Sequence, residues 1–280
     1  MITLDLTKGF GDHPHYKLFK FPGGEIHFKL KIEIKESVRI TTRLNTSDDI
    51  LALCVVVDTL AKDDLGIGWI EVFIPYFPYQ QADRNFGEGE CFSLKTITKI
   101  LNNLEVDKYT IYDPHSDVTP ALLKNCEVID NSQFIKWVMS ENKINFWNNS
   151  VWLSPDSGAY KKIFKLAEKI GFKGEILCCQ KNRDIKTGEV SVVVPTLPAK
   201  DILIIDDICV GGRTFVEIAK KVKTPDECKL YLAISHGIFS NGFEDLILRL
   251  DHRTFDHIFT TNSRKEYGDV GNFLTVHKII

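Results

Sequence analysis

The sequence predicts an α/β protein of two domains with mostly parallel sheets. Three observations carry that prediction. Short apolar runs alternate along the chain with stretches of helical, 3.6-residue periodicity, the rhythm of βαβ units. At 280 residues the chain exceeds one typical domain, and the rhythm restarts after a break near 131–149. Finally, polar clusters fall just beyond strand candidates, at His115, at Asp156, at Lys181 and Arg183, and at Asp206 and Asp207. In open parallel sheets, ligands sit beyond the carboxyl ends of strands. The expected domains are residues 1–138 and 139–280.

The elements follow in order. Residues 1–34 alternate apolar and polar side chains, which reads as strands joined by turns at Gly9–Gly11 and Pro22–Gly24. Residues 48–61 form an apolar helical face, with a cap offered by Ser47, Asp48 and Asp49. Residues 69–75 read as a buried strand, 76–90 as a loop and 93–104 as a helix. Strands are expected at 109–112 and 126–129, and a helix between the halves over 131–147. In the second half, strand 151–153 leads to a helix burying Ile163, Leu166, Ala167 and Ile170 and stopped by Gly171. Strands follow at 175–179, 191–194, 201–205, 229–235 and 257–261. Residues 184–189 are polar and glycine-containing, as a flexible loop would be.

Composition removes several classes of function. At 44% hydrophobic and 26% charged residues the chain has the make-up of a soluble globular protein. A net charge of −3 without a basic block argues against nucleic acid or a membrane surface as partner. No apolar run approaches membrane-spanning length, and the N-terminal residues lack a signal pattern, so the cytoplasm is the expected location. The seven cysteines are scattered and odd in number, with no zinc spacing. Reduced, mostly buried thiols are expected.

The most informative stretch is 201–222. An apolar strand ends at two acids, Asp206 and Asp207. A turn then carries Gly211, Gly212, Arg213 and Thr214, and an amphipathic helix buries Phe215, Ile218, Ala219 and Val222. This arrangement suits a phosphorylated sugar. Backbone N–H groups and the helix N-terminus meet the phosphate, and carboxylates accept from vicinal hydroxyls. The loop is neither a Walker A nor a G-x-G-x-x-G sequence. Plainer readings stand beside the functional ones: a tight βα turn for Gly211-Gly212, a core histidine for His115, a helix N-cap for Asp156 and a solvated turn for Lys181 and Arg183.

Several short motifs occur together in one order. They are Ile74–Tyr79 followed by Asp83-Arg84, Asp113-Pro114-His115, Ser154-Pro155-Asp156 with Gly158, Lys181-Asn182-Arg183, Asp206-Asp207 with Thr214, Thr261-Asn262-Ser263 and, in part, Phe21–Glu25. In this set the chain resembles the ribose-phosphate diphosphokinases (5-phosphoribosyl-diphosphate synthetases). The resemblance implies two tandem phosphoribosyltransferase-type domains. It also implies Mg²⁺-dependent transfer of the β,γ-diphosphate of ATP to the anomeric hydroxyl of ribose 5-phosphate. By that resemblance His115 and Asp156 bind Mg²⁺, Lys181 and Arg183 close over the transferred phosphates, and Phe21, Glu25 and Arg84 face the nucleotide. Asp206, Asp207 and the 211–214 loop hold the sugar. A homo-oligomer is implied as well.

Departures from the family pattern fall in the sugar loop. Where relatives carry an acid and a hydroxyl, this chain has Val210 and Gly211, and Arg213 is added. Such a loop has fewer donors, more room and one more cation, which suits an acceptor with a larger 5-substituent, such as ADP-ribose, and a role in NAD metabolism. Gly87 and Gly89 replace regulatory arginines. Two other readings compete: a phosphoribosyltransferase that consumes the activated sugar, and a non-catalytic regulatory homologue.

Overall fold

The computed structural model describes residues 1–85, 87–140, 150–183, 190–225, 227–247 and 255–280. Two compact units result, 1–130 with residue 280, and 131–279.

The first unit begins with β1 (Ile2–Asp5). A small antiparallel sheet of β2 (Gly11–Asp12), β3 (Tyr16–Lys20) and β4 (Ile26–Leu30) follows. The chain then alternates β5 (Glu36–Thr41), α1 (Ser47–Leu60), β6 (Ile67–Ile74), α2 (Ser93–Leu101), β7 (Lys108–Tyr112), α3 (Val118–Leu122) and β8 (Cys126–Ile129). The main sheet is parallel, in the order β1-β5-β6-β7-β8. Each strand is the sheet neighbour of the one before it, so right-handed crossovers bring every connecting helix to the same face. Accordingly Leu53, Val56 and Leu60 of α1 and Leu94, Ile97 and Leu101 of α2 share one core with Val38, Ile40, Val72, Ile74, Tyr109 and Ile111. The cap of α1 is Thr46, one residue before the expected set. Its hydroxyl accepts from Asp49 N, and the Asp49 carboxylate accepts from Thr46 N at 2.7 Å. Only Thr46 stands three residues before an acid that can reach back in this way.

The second unit contains α4 (Ser132–Ser140), β9 (Ser150–Ser154), α5 (Ser157–Ile170), β10 (Ile176–Cys178), a hairpin of β11 (Gln180–Arg183) and β12 (Val190–Val193), and β13 (Asp201–Cys209). Then come α6 (Arg213–Lys221), β14 (Leu230–Gly237), α7 (Glu244–Ile247), β15 (His257–Thr261) and β16 (Leu274–His277). The six-stranded parallel sheet runs β10-β9-β13-β14-β15-β16. Here the strand order reverses at β9, and both faces are covered. Ile202, Ile204, Leu232 and Ile234 pack with Phe215, Ile218 and Ala219 of α6. Leu203, Ile205, Tyr231 and Ala233 pack with Phe134 and Val138 of α4 and Ile163 and Leu166 of α5. Burial on both faces explains why these strands read as continuous apolar runs.

Two differences from expectation stand out, and two expectations extend beyond the described residues. Strand β13 does not stop at Ile205 but continues through the acid pair to Cys209. The helix expected over 131–147 is described as Ser132–Ser140, with 141–149 outside the described residues. The short helices α3 and α7 and the edge strand β16 were not anticipated, because four or five residues are too few to display a period. The expected flexible loop 184–189 lies outside the described residues.

Candidate active site

Strand geometry sets the character of the acid pair. Successive side chains on a strand point to opposite faces. Asp206 therefore shares the face of Ile202 and Ile204, and Asp207 that of Leu203 and Ile205. The contacts agree. Lys162, on α5, donates from Nζ to Asp207 Oδ2 at 3.4 Å, and Asp207 is buried. The Asp206 side chain curls back so that Oδ1 accepts from the backbone N–H of Asp207 at 2.9 Å. Burial first, then the neighbouring Asp207 carboxylate, push the Asp206 carboxyl well above its ordinary value, and the charge of Asp156 adds to this. The pair thus consists of one acid with a lysine partner and one that ionises reluctantly.

Asp156 caps α5. Its Oδ1 accepts from Ala159 N at 3.0 Å, and Ser154 Oγ steadies the turn by donating to Asp156 O at 2.7 Å. The capping role considered for this residue is real, and it occupies only one carboxylate oxygen. The other, Oδ2, accepts from Lys181 Nζ at 3.3 Å. Lys181 stands on β11, so a hairpin strand carries the lysine to the carboxyl end of β9. Arg183 lies two residues further along the same strand.

The loop after the acid pair is shorter than expected, because β13 ends at Cys209 and α6 begins at Arg213. Gly212 precedes α6 with φ +79°, a conformation that a side chain rarely adopts, and no side-chain acceptor caps the helix there. The first-turn N–H groups of α6 are thereby left for an anion. Gly211 and Thr214 are half-buried, and Arg213 is exposed. The backbone after β14 braces this loop. Ser240 N donates to Val210 O at 2.8 Å, and a Cβ on Gly211 would sit 3.1 Å from Asn241 Nδ2. Asn241 thus occupies part of the room that Gly211 leaves.

In the first unit, the residues after β6 tie down the loop after β7. The fully buried Gln80 accepts from His115 N through Oε1 at 2.9 Å. Buried Asp83 accepts from Ser116 Oγ at 2.8 Å and from Arg84 Nε at 3.1 Å, leaving the Arg84 side chain 70% exposed. The His115 residue is exposed too. Phe21 and Glu25 are exposed at the tip of the β3–β4 hairpin, closed by Phe21 N donating to Glu25 O at 2.9 Å. Phe21 lies against Phe19 and His27, with ring centroids 5.1 and 5.4 Å away. An exposed aromatic edge of this kind suits stacking on a base.

With this geometry in place, comparison with known proteins shows what the chain is similar to. The chain is 28% identical over 251 residues to a ribose-phosphate pyrophosphokinase of Sulfurisphaera tokodaii, covering 87% of this chain and 82% of that protein. It is 28% identical over 241 residues to the Pyrococcus abyssi protein of the same name, covering 83% and 79%. The crystal structure of phosphoribosylpyrophosphate synthetase from Mycobacterium smegmatis superimposes with a TM-score of 0.78 at 18% identity, over 94% of this chain and 86% of that one. Over most of its length the chain is similar to ribose-phosphate pyrophosphokinases, from which it diverges at more than two thirds of the aligned positions. Its two tandem sheets are of the phosphoribosyltransferase type. No family model matches the sequence.

The Thr261-Asn262-Ser263 motif is tied into the second unit by hydrogen bonds. All three residues are buried. Thr261 Oγ1 donates to Ser235 O at 2.6 Å, Ser263 Oγ meets His236 Nδ1 at 2.8 Å, and Asn262 Oδ1 accepts from Ile279 N at 2.8 Å. The motif locks the carboxyl ends of β14 and β15 together.

Among the described residues, no three His, Cys, Asp or Glu side chains gather as a metal site. A hard Mg²⁺ ion takes carboxylate, phosphate and water oxygens, and Asp156 Oδ2, which here accepts from Lys181, has the donor chemistry for one.

Sequence reasoning missed Lys162, Gln80 and Asn241. A lysine within a lysine-rich helix and two amides in loops carry no motif. Only the register of β13 against α5, and the burial of Gln80, bring them out.

Proposed function

We propose that the protein transfers the β,γ-diphosphate of ATP to the anomeric hydroxyl of a ribose bearing a 5-phosphate group. In that step the anomeric oxygen bonds to the β-phosphorus. The bond from the β-phosphorus to the α,β-bridging oxygen breaks, AMP leaves, and the hydroxyl proton passes to solvent. The observation that carries the reading is the unit β13–Gly212–α6. It sets Asp206 and Asp207 beside a helix N-terminus without a side-chain cap, with Lys181 docked on Asp156 in the same unit. Diphosphoryl transfer depends mainly on positioning and charge neutralisation, and these residues can provide both.

Mg²⁺ bound with ATP would neutralise the phosphates, with Asp156 and, by family resemblance, His115 as ligands. Lys181 and Arg183 would hold the transferred group. Phe21, Glu25 and Arg84 would meet the nucleotide, and Gly211, Gly212, Arg213 and Thr214 the 5-phosphate. On this reading the enzyme is a cytoplasmic homo-oligomer.

The acceptor is proposed to be a 5-substituted ribose such as ADP-ribose, feeding NAD synthesis, with ribose 5-phosphate as the family's own acceptor. Support comes from the short loop, in which Val210 and Gly211 stand where the family pattern of the resemblance has an acid and a hydroxyl, and from the exposed Arg213. Because Asn241 fills the space beside Gly211, a larger substituent would leave along the Arg213 side. Purified protein with ATP, Mg²⁺ and each acceptor in turn, read by mass spectrometry, tests both levels. A diphosphorylated ADP-ribose is expected. Turnover of ribose 5-phosphate alone removes the larger acceptor, and no product from any acceptor removes the reading.

A further inference from the structure

The loop between β13 and α6 is poor in side-chain donors. Val210 and Gly211 offer none, and Gly212 turns the chain into the helix. A side chain from the segment after β14 occupies the flank that Gly211 leaves bare. A Cβ on Gly211 would stand 3.1 Å from Asn241 Nδ2, 3.6 Å from Asn241 Cγ and 3.7 Å from Ser240 Oγ. The Asn241 amide therefore lies where the side chain of a larger residue at 211 would lie.

The backbone that delivers this amide is held firmly. Ile238 N and Phe239 N both donate to Cys209 O, at 2.9 and 3.2 Å, and Ser240 N donates to Val210 O at 2.8 Å. From the other side Lys265 Nζ donates to Ile238 O at 3.0 Å, and Tyr267 OH donates to Gly237 O. Phe239 sits in the left-handed region at φ +47°, and its buried ring lies so close to Gly237 that a Cβ there would come within 2.1 Å. A left-handed aromatic residue persists only where its surroundings over-determine it. The side chain of Asn241, by contrast, is lightly committed. Its Nδ2 meets Gly211 O at 3.5 Å and its Oδ1 accepts from Ser240 Oγ at 3.4 Å, both at the outer limit of a hydrogen bond. The residue is exposed. A fixed backbone thus presents an amide whose two N–H donors can turn to an incoming oxygen at little cost.

We propose that Asn241 is a specificity-determining residue of the sugar site, donating from Nδ2 to the phosphate on the 5-oxygen of the acceptor. The inference rests on the function proposed above and names a contact for it from outside the 210–214 loop. The neutrality of the amide matters. It binds a phosphate oxygen without calling for the second negative charge of a terminal monoester. A phosphate that continues into a further group, as in ADP-ribose, satisfies it as well as a terminal one does.

Isothermal titration calorimetry with Mg²⁺ and α,β-methylene ATP, whose bridging carbon blocks transfer, reads acceptor affinity apart from turnover. Ribose 5-phosphate and ADP-ribose are each titrated into the wild type, Asn241→Ala and Asn241→Asp. Asn241→Ala should weaken binding of both acceptors about tenfold, the loss of one hydrogen bond to a charged group. Asn241→Asp keeps the acceptor for Ser240 but sets an anion against the phosphate, and should weaken binding about a hundredfold. Affinity for the ATP analogue and the melting curves should stay at wild-type values. A role in bracing the loop would instead make the two variants alike, because both lose the Nδ2 contact to Gly211 O. Wild-type affinity in Asn241→Ala, or equal losses in the two variants, overturns the proposal. So does a wild type that binds neither acceptor. A wild type that binds an acceptor but forms no product with ATP itself removes the proposed reaction, and the two variants still decide the role of Asn241.

Discussion

The backbone N–H of His115 donates to the side-chain oxygen of Gln80 at 2.9 Å, and Gln80 is wholly buried. A loop with little periodicity after β6 thus fixes the position of a loop after β7. Replacing Gln80 with leucine keeps the volume but leaves His115 N–H without this acceptor. His115 is exposed, so water can take up the released donor, and the loss is that of one part-buried hydrogen bond, about 0.5–1.5 kcal/mol. The expected result is a lower melting temperature together with a lower kcat, and the two effects should appear in the same variant.

Asp206 predicts a trade between stability and activity. Its carboxyl is held well above the ordinary value, by burial first and then by Asp207. For an acid whose folded value is raised, the stability gained from holding the proton is present below the unfolded value. It is lost as pH rises through the folded value. At neutral pH the raised carboxyl of Asp206 therefore opposes folding. Asp206→Asn should raise the melting temperature by about 2–4 °C near pH 7 and abolish turnover. Thermal melts as a function of pH provide the check, since the gain should shrink on acidification towards about pH 4.

Lys162→Met removes the cation 3.4 Å from Asp207. Because the lysine is a third exposed, the loss should be modest, about 1–2 kcal/mol of acceptor binding. It should read as roughly a tenfold higher KM for the acceptor with a smaller change in kcat. Lys162→Arg should recover most of the affinity. Equal KM values in all three proteins would leave Lys162 without a role in positioning the acid.

Lys181→Ala and Arg183→Ala should each lower kcat by about 1,000-fold with melting curves unchanged, as expected for groups that meet charge developing in the transition state. Single-turnover measurements of AMP release distinguish this from slow product departure.

The thiols should differ sharply in reactivity. Burial pushes the Cys179 thiol up to about 12 and the Cys209 thiol up as well, whereas Cys91 is exposed. Alkylation followed by peptide mass spectrometry should find Cys91 modified first, with activity retained.

Much of the fold was legible in the sequence because burial on both faces makes the strands of the second unit unmistakable, and α1, α2 and α5 show full apolar stripes. What was not legible depends on register and distance. Asp206 and Asp207 read as a pair at a strand's end, yet the strand runs through them and turns them to opposite faces, which only the pairing of β13 with β9 and β14 reveals. Asp156 read as either a cap or a ligand, and the two oxygens of one carboxylate make room for both. Thr261-Asn262-Ser263 read only as part of the family resemblance, and burial makes it a clasp between strands. Lys162 and Gln80 had no local signal, because their partners are 45 and 35 residues away.

The three residues between β13 and α6 carry one last implication, for how this protein can diversify. Cys209 is in register with Gly237, and its carbonyl accepts from Ile238 N at 2.9 Å. Val210 is held from Ser240, and at the far end Gly212 enters the helix with Leu246 3.2 Å from where a Cβ would stand. Inserting a residue would break either the strand pairing or the first helical turn. Under the proposed function, a change of acceptor would therefore come from exchanging side chains at 210, 211 and 213, within a frame of constant length.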